Sequence, residues 1–146
     1  MSQLLSAVNA AASGLNAQRA RMEVAVSNIA NAESTRSVNG EPYRRRDVVL
    51  EATPPDDFGK LLLQGPNGGG ADGVRVASIV QDQSPFKKTY DPTNPDADKS
   101  GFVYMPNVDV PEEMVNLLGA ARAYQANLTA IGLIRDTVQK SLELAK

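Results

Sequence analysis

The chemistry open to this chain is narrow, because its 146 residues include neither histidine nor cysteine. Imidazole and thiolate groups supply many of the general bases, nucleophiles and zinc ligands of proteins. Without them, catalysis would rest on paired carboxylates or on a serine activated by a lysine. We therefore predict a protein that is not an enzyme, with no catalytic residue and no cofactor.

The best candidate for a metal site is an acidic turn in the second half of the chain. Asp96, Asp98, Ser100 and Gly101 occupy the first, third, fifth and sixth positions of a calcium-loop pattern. The twelfth position is Asn107, where that pattern has a bidentate glutamate, and nearby prolines oppose flanking helices. Two acids in an exposed loop also lack the burial that separates the pKa values of a catalytic pair. We predict a structural turn that holds no metal.

Two short stretches are of the kind that contacts phosphate. Gly68 to Gly70 is glycine-rich, but no Gly-Lys-Ser/Thr follows it to open a helix, as a P-loop requires. Arg44 to Arg46 is basic, yet Asp47 follows it and the net charge of the chain is -2. A charged edge strand is the better interpretation. We expect no nucleic-acid partner, and the lack of a long apolar run predicts no direct membrane insertion.

The distribution of proline shows which elements position these residues. All nine prolines lie between Pro42 and Pro111, and proline disrupts helix interiors. The predicted organisation is an N-terminal helix in residues 1–35, a β-rich and irregular insert in residues 36–108, and a C-terminal helix in residues 109–146.

Apolar residues of the first segment recur with the seven-residue spacing of helices that pack side by side. The helix is predicted to end near Asn31, where asparagine, serine and threonine compete for backbone hydrogen bonds. The two rows of the repeat consist of Leu4, Ala11, Gln18 and Ala25, and of Val8, Leu15, Met22 and Ile29.

The last segment has the same periodicity. Asp109 is a suitable cap, and Pro111 falls in the first turn. Ala126, Leu133 and Leu144 lie off the main rows, as scattered exposed residues or as a contact with a second neighbour. The main rows are Met114, Ala121, Leu128 and Leu142, and Leu117, Tyr124, Ile131, Val138 and Ala145.

The predicted fold is α+β. N- and C-terminal amphipathic helices pack as a coiled-coil-like pair around a small β-rich or irregular insert. Residues 43–51 and 74–81 are rich in β-branched residues and predict strands, and residues 64–73 predict a glycine-rich loop. The predicted assembly interface consists of Leu4, Val8, Leu15, Met22, Ile29, Met114, Leu117, Ala121, Tyr124, Leu128, Ile131, Val138 and Leu142.

Several motifs carry a family resemblance that composition and periodicity do not. The stretch from Ser13 to Gln18 and the stretch from Ser27 to Ala32 resemble the N-terminal signature of flagellar rod, hook and hook-associated proteins. Later motifs are similar to those of the flagellar basal-body rod protein family, and of its proximal-rod members in particular. The motif residues are Ser13, Gly14, Leu15, Asn28, Ile29, Ala30, Asn31, Tyr90, Asp91, Pro92, Pro95, Asp96, Pro106 and Asn107.

The resemblance implies a structural subunit that assembles through its terminal helices. Its implied partners are other flagellar rod subunits, the adaptor at the membrane ring, the flagellar type III export apparatus and further copies of itself. The implied location is the basal-body rod that spans the periplasm, reached without a cleaved signal peptide. The implied task is the transmission of torque along a helical tube.

Two other functions are compatible with the residues alone. One is a soluble coiled-coil adaptor or chaperone with a β insert, which would form a closed oligomer. The other is a carboxylate-dependent hydrolase, for which the sequence offers only acids in loops. A purified monomer with poorly ordered termini favours the rod subunit, whereas a fully folded one favours either alternative.

Overall fold

The computed structural model describes residues 2–37, 40–53 and 73–144, with side chains from Leu4 onward. The predicted glycine-rich loop lies outside these ranges except for Gly73, and so does Ala145 of the second tail row. The elements are α1 (Ser2–Ala30), β1 (Arg46–Thr53), β2 (Gly73–Gln81), β3 (Lys87–Tyr90), β4 (Phe102–Met105) and α2 (Val110–Leu144).

Both predicted terminal helices are present. α1 is 29 residues long and contains no proline. It ends where the Asn31 amide Nδ2 donates to the Ser27 carbonyl at 2.8 Å and satisfies an end carbonyl of the helix. α2 is 35 residues long and has Pro111 in its first turn, where a missing N–H costs no helical hydrogen bond. The predicted end near Asn31 and start near Asp109 are confirmed.

The insert contains two small sheets. β1 pairs with β2, and β3 pairs with β4 in an antiparallel ladder that places Tyr90 opposite Phe102. The β1–β2 pair confirms that strands form in the stretches predicted at residues 43–51 and 74–81, although β1 begins at Arg46 and extends to Thr53. The β3–β4 pair was not predicted, because each of its strands has only four residues and β3 is exposed throughout. Such a strand has no alternation of polar and apolar residues for the sequence to reveal.

One compact unit is built from the described residues of Met1–Ala20, Val49–Ala77 and Ala120–Lys146. Its fully buried apolar residues, among those described, are Ala17 and Ala120, each 2% exposed. Small side chains at these points allow helices to approach closely but bury little apolar area.

A second compact unit consists of Arg21–Val48 and Ser78–Gly119. Its buried apolar residues are larger and come from several elements, because β4 and the turn before α2 contribute to them. They are Ala25, Val103, Pro106 and Val108. Two polar residues are also buried there, Asn28 and Glu113, which are 0% and 2% exposed.

The predicted rows of α2 differ in how far the chain itself covers them. Leu117, Tyr124, Ile131 and Val138 are half-buried, and so is Ala121. Met114, Leu128 and Leu142 are 50%, 56% and 60% exposed. Glu113 and Ala120, one position before Met114 and Ala121, are buried instead. The chain itself therefore leaves Met114, Leu128 and Leu142 of the first row largely uncovered.

In α1 the predicted row that begins at Val8 is half-buried, whereas Leu4 of the other row and its neighbour Leu5 are exposed. Leu4 is 36% exposed and Leu5 is 64% exposed. The half-buried members of that row are Val8, Leu15, Met22 and Ile29. Among the described residues, neither helix is long and apolar enough to cross a membrane.

Candidate functional site

The end of α1 places the side chain of Asn28 at the centre of a buried hydrogen-bond network. Its Nδ2 donates to the Arg46 carbonyl at 2.8 Å and to Glu113 Oε2 at 2.9 Å. Its Oδ1 accepts from the Arg46 N–H at 3.0 Å and from the Tyr43 hydroxyl at 2.9 Å. An asparagine amide has two donor hydrogens and two acceptor lone pairs. Asn28 therefore uses its full hydrogen-bonding capacity on two other parts of the chain, the stretch from Tyr43 to Arg46 and the start of α2.

Glu113, in the first turn of α2, joins this amide to the partly buried guanidinium group of Arg45. Arg45 Nε donates to Glu113 Oε1 at 2.7 Å, and the exposed fractions of the two side chains are 18% and 3%. Burial by itself lowers the pKa of Arg45, but the hydrogen bond and charge of Glu113, with the charges of Asp47 and Glu112, raise the pKa above its ordinary value. The two side chains form a structural salt bridge.

The backbone of Arg45 is fixed from the other side by Asn107, which precedes α2. Asn107 Oδ1 accepts from the Arg45 N–H at 2.8 Å, and its Nδ2 donates to the Asp82 and Ser84 carbonyls at 3.2 and 3.4 Å. We call Asn28, Tyr43, Arg45, Asn107 and Glu113 the Asn28 network. It connects α1, the start of β1, the turn after β2 and the start of α2.

In the first unit, Ser13 attaches a strand to α1. Its hydroxyl donates to the Ala10 carbonyl at 2.7 Å and accepts from the Val74 N–H at 3.0 Å. Gly73 begins that strand with φ of 154°, and a Cβ there would collide with the Ser13 hydroxyl. The hydrogen bond between Ser13 and Val74 thereby holds the first residues of β2 against α1.

Gly14, the next residue, allows a close approach between two helical segments of the first unit. A Cβ at Gly14 would lie 2.8 Å from Asn127 Nδ2 and 3.3 Å from Asn127 Cγ. Glycine in a helix interior costs about 1 kcal/mol relative to alanine. Here the missing side chain makes the space that Asn127 occupies.

The acidic turn serves the fold, and each acid does so differently. Asp96 accepts from the Thr35 hydroxyl at 2.7 Å and pairs with Arg36 at 3.3 Å, so it links the turn to the chain after α1. Asp98 accepts from the backbone N–H groups of Ser100 and Phe102 at 2.8 and 3.0 Å. These bonds, that of Phe102 first, lower the pKa of Asp98. The described residues contain no cluster of three or more acids that could hold a metal.

The Tyr90–Asp91–Pro92 motif packs around a glycine with a left-handed backbone. Gly101 has φ of 79°, and a Cβ there would lie 2.9 Å from Tyr90 Cε2 and 3.3 Å from Pro92 Cβ. Asp91 accepts from the hydroxyl and N–H of Thr93 at 2.6 and 3.1 Å. The hydroxyl bond is the first cause of the lowered pKa of Asp91. Gly101 therefore has a backbone conformation that favours glycine.

The other motif residues have simpler surroundings. Pro106 is buried, whereas Ala30 and Pro95 are exposed. Leu15 and Ile29 are half-buried on α1.

Sequence reasoning missed Arg45 and Glu113 as site residues. Arg45 was predicted only as one charge of an edge strand, and Glu113 was not predicted as a site residue. Their contact joins positions 68 residues apart, and no local pattern encodes such a pairing. The one available signal was Asn28, a motif residue whose amide has two donor hydrogens and two acceptor lone pairs that need partners when it is buried.

Comparison with known proteins now decides the family. Residues 8–36 match the family described as flagella basal body rod protein, and residues 99–144 match the flagellar basal body rod FlgEFG protein C-terminal family. The flagellar basal-body rod protein FlgC of Bacillus subtilis is 44% identical over 95% of this chain and 96% of its own length. The chain belongs to the FlgC family of flagellar basal-body rod proteins.

Two further FlgC proteins show the same extent of similarity. That of Salmonella typhimurium is 41% identical over 98% of both chains, and that of Borreliella burgdorferi is 40% identical over 97% of both. The family consists of structural rod proteins, so the chain is a structural subunit of the flagellar basal-body rod and not an enzyme. This excludes the hydrolase and favours the rod subunit over the soluble adaptor.

The Asn28 network connects the two regions that match the family descriptions. Asn28 lies in the matched residues 8–36, whereas Asn107 and Glu113 lie in the matched residues 99–144. Arg45 lies between these regions and bonds to both residues of the second one. In this FlgC-family chain, Asn28 of the N-terminal signature thus links the N- and C-terminal matched regions through its hydrogen bond to Glu113.

Proposed function

We propose that the terminal helices pair with each other in a coiled-coil-like manner and with neighbouring subunits in an axial helical tube. The neighbours are other rod subunits, further copies of this chain and the adaptor at the membrane ring. A head-to-tail contact that does not close into a ring generates a helical assembly. The assembled rod spans the periplasm and transmits torque. Membership of the rod family supports assembly with basal-body components.

The observation that carries this proposal is the set of large apolar side chains left exposed along α2. Isolated exposed apolar residues are ordinary, but a contiguous set marks an interaction surface. Seven such residues lie between 50% and 90% exposed. They are Met114, Val115, Leu118, Leu128, Leu133, Leu142 and Leu144.

These residues point to more than one neighbour. Met114, Leu128 and Leu142 repeat at multiples of seven, so they share one helical face. Leu133 and Leu144 belong to the stripe that lies off this row. A helix that is apolar on two faces is buried on two faces in its functional state. A tube of packed helices provides such surroundings.

We propose that the subunit reaches the rod unfolded, through the flagellar type III export apparatus and without a cleaved signal peptide. On arrival, the helices of residues 1–35 and 109–146 assemble while residues 36–108 form the insert between them. An amphipathic helix gains most of its stability from a partner that covers its apolar face. Folding of the outer helical segments and assembly are therefore coupled.

A pair of adjacent substitutions tests the proposed interface. Leu128 and Thr129 are both exposed, but only Leu128 belongs to a predicted row. Leu128→Asp lowers the stability of the free chain by no more than about 1 kcal/mol, because the Leu128 side chain is 56% exposed there. In the rod it buries an unpaired charge. We expect motility and incorporation into isolated basal bodies to be lost with Leu128→Asp and retained with Thr129→Asp. Normal swimming of the Leu128→Asp strain would overturn the proposed interface.

A further inference from the structure

The Asn28 network lies entirely inside the unit formed by Arg21–Val48 and Ser78–Gly119. We propose that this unit is an assembly-independent folding module, and that Asn28 is its positioning residue. The module is folded in the free subunit before any neighbour binds. Residues 2–20 and 120–144 acquire stable helical structure when neighbours bind.

The first support is the kind of residue that each unit buries. The module buries Val103 and Val108 in addition to Ala25, and full burial of a valine side chain contributes roughly 1.5–3 kcal/mol. Among the described residues, the fully buried apolar side chains of the other unit are Ala17 and Ala120. Its large apolar residues are half-buried, as Leu15 and Ile131 are, or exposed, as Leu128 is. The module therefore has fully buried valines at its centre, whereas the other unit fully buries only alanines among the described residues.

The second support is the cooperative character of a buried polar network. The hydrogen bonds of Asn28 to Tyr43, Arg46 and Glu113 span sequence separations of 15, 18 and 85 residues. A buried amide with unmet hydrogen bonds is costly, so a partly formed network is less stable than a complete one. The end of α1, the start of β1 and the start of α2 therefore order together.

The third support is how a prefolded module affects the rest of each helix. The first turn of a helix is the unfavourable step, whereas each later residue adds one hydrogen bond to an existing helix. In the module, residues 21–30 of α1 and residues 110–119 of α2 are already helical. Residues 2–20 and 120–144 then extend existing helices when neighbours cover their apolar faces. The barrier to ordering them at the growing rod is lowered accordingly.

The late ordering of the outer segments rests on the proposed function, because it requires neighbours that cover them. The order of the module does not rest on it, and it is measured in the free protein. If the proposed interface is wrong, cells that carry Leu128→Asp swim normally. If the module is wrong, hydrogen exchange of the dilute monomer shows no protected residues in it.

Hydrogen exchange followed by mass spectrometry on the full-length monomer tests the module. We expect amides in residues 21–30 and 110–119 to exchange at least roughly tenfold more slowly than those in residues 4–14 and 126–144. Asn28→Ala removes this difference. Asn16→Ala is the matched control, because Asn16 is an exposed asparagine of the same helix and the substitution changes helix propensity equally. We expect Asn16→Ala to leave the difference in exchange rate between the two groups of residues unchanged.

The pH dependence of a second variant separates positioning by the network from packing alone. In Asn28→Asp the new carboxylate faces Glu113, whose Oε2 lies 2.9 Å from the present Nδ2. The other polar groups at this position are the Tyr43 hydroxyl and the backbone of Arg46, and Arg45 contacts Glu113 from the far side. Two carboxylates at this distance share one proton, so the pKa of one is raised.

A group whose pKa is raised in the folded state stabilises that state at low pH and loses the effect as pH rises. Protection in Asn28→Asp, corrected for intrinsic exchange, therefore increases as pH falls from about 7 to about 5. Adding Glu113→Gln removes one of the carboxylates and restores protection near neutral pH. Uniform exchange along the wild-type helices, equal effects of Asn28→Ala and Asn16→Ala, or a pH-independent Asn28→Asp variant would each overturn the proposal.

Discussion

The first turn of α2 contains two adjacent glutamates, Glu112 and Glu113. Replacing each in turn separates the effect of burial on stability from the effect of charge. Glu113 has a side chain that is 3% exposed and bonds to Arg45 and Asn28, whereas Glu112 is 64% exposed and lies 3.7 Å from Arg45. Replacing either by alanine removes one negative charge from the same helix turn. The loss of favourable interaction with the helix dipole is therefore similar in both.

The cost of Glu113→Ala follows from what it leaves behind. Arg45 loses its 2.7 Å partner while its side chain remains 18% exposed, and Asn28 loses one acceptor. Breaking a buried pair from one side costs roughly 3–5 kcal/mol. Asp82 and Glu112, each 3.7 Å from Arg45, remain as weaker partners and reduce this loss. We expect about 3 kcal/mol for Glu113→Ala and less than about 0.5 kcal/mol for Glu112→Ala.

Urea unfolding of the purified monomer, followed by circular dichroism, measures both free energies. At roughly 4 °C per kcal/mol for a chain of this size, the expected loss corresponds to a decrease in Tm of roughly 12 °C for Glu113→Ala. If the two variants unfold within about 0.5 kcal/mol of each other, Glu113 is not the buried partner that the network requires.

Three further predictions concern the turn at Gly101, the proposed interface on α2 and the stability of the chain at low pH. Gly101→Val lowers stability by about 2 kcal/mol more than Gly40→Val, because both glycines have φ of 79° but only Gly101 has a neighbour within 4 Å of the added Cβ. Ile131→Asp abolishes motility but not export, because it places a charge on a half-buried row of α2. Acid lowers stability as pH falls below about 3.8, because hydrogen bonds depress the pKa values of Asp82, Asp91 and Asp98 in the folded chain.

Each of these has its own measurement and its own contrary result. Chemical denaturation compares the two glycine variants, and equal losses would mean that crowding at Gly101 is absent. Swimming assays with secretion controls test Ile131→Asp, and normal swimming would remove this residue from the interface. A urea midpoint that stays constant from about pH 5 to about pH 2 would contradict the acid prediction, since aspartates with lowered pKa values stabilise only while they are ionised.

The helices were predictable because long periodic segments record the face that each helix buries. Seven-residue repeats between two proline-free ends were enough to locate α1 and α2 within a residue or two. The pattern predicted less accurately which face of α2 is buried. In this chain Glu113 and Ala120 are buried where the pattern favoured Met114 and Ala121. Hydrophobicity alone did not identify a glutamate as an inward residue, since its burial depends on Arg45.

The site was less predictable than the fold because its residues meet only in three dimensions. Asn28, Asn107 and Asp96 were recognised as motif residues, but nothing local indicated what they bond to. Thr35 and Asp96 are 61 residues apart and share a 2.7 Å hydrogen bond. Side chains of this kind act through partners that the fold selects, so spacing along the sequence does not reveal their role.

The close approach of Asn127 to Gly14 has an evolutionary consequence. A side chain at position 14 requires Asn127 to move or to become smaller, because the added Cβ would lie 2.8 Å from its amide nitrogen. Alanine at position 14 improves helix propensity by about 1 kcal/mol, so selection for stability alone favours it. The two positions are therefore expected to covary among FlgC-family sequences, with alanine at position 14 accompanied by a smaller residue at position 127. A glycine at position 14 is constrained by the size of its neighbour and not by its own backbone.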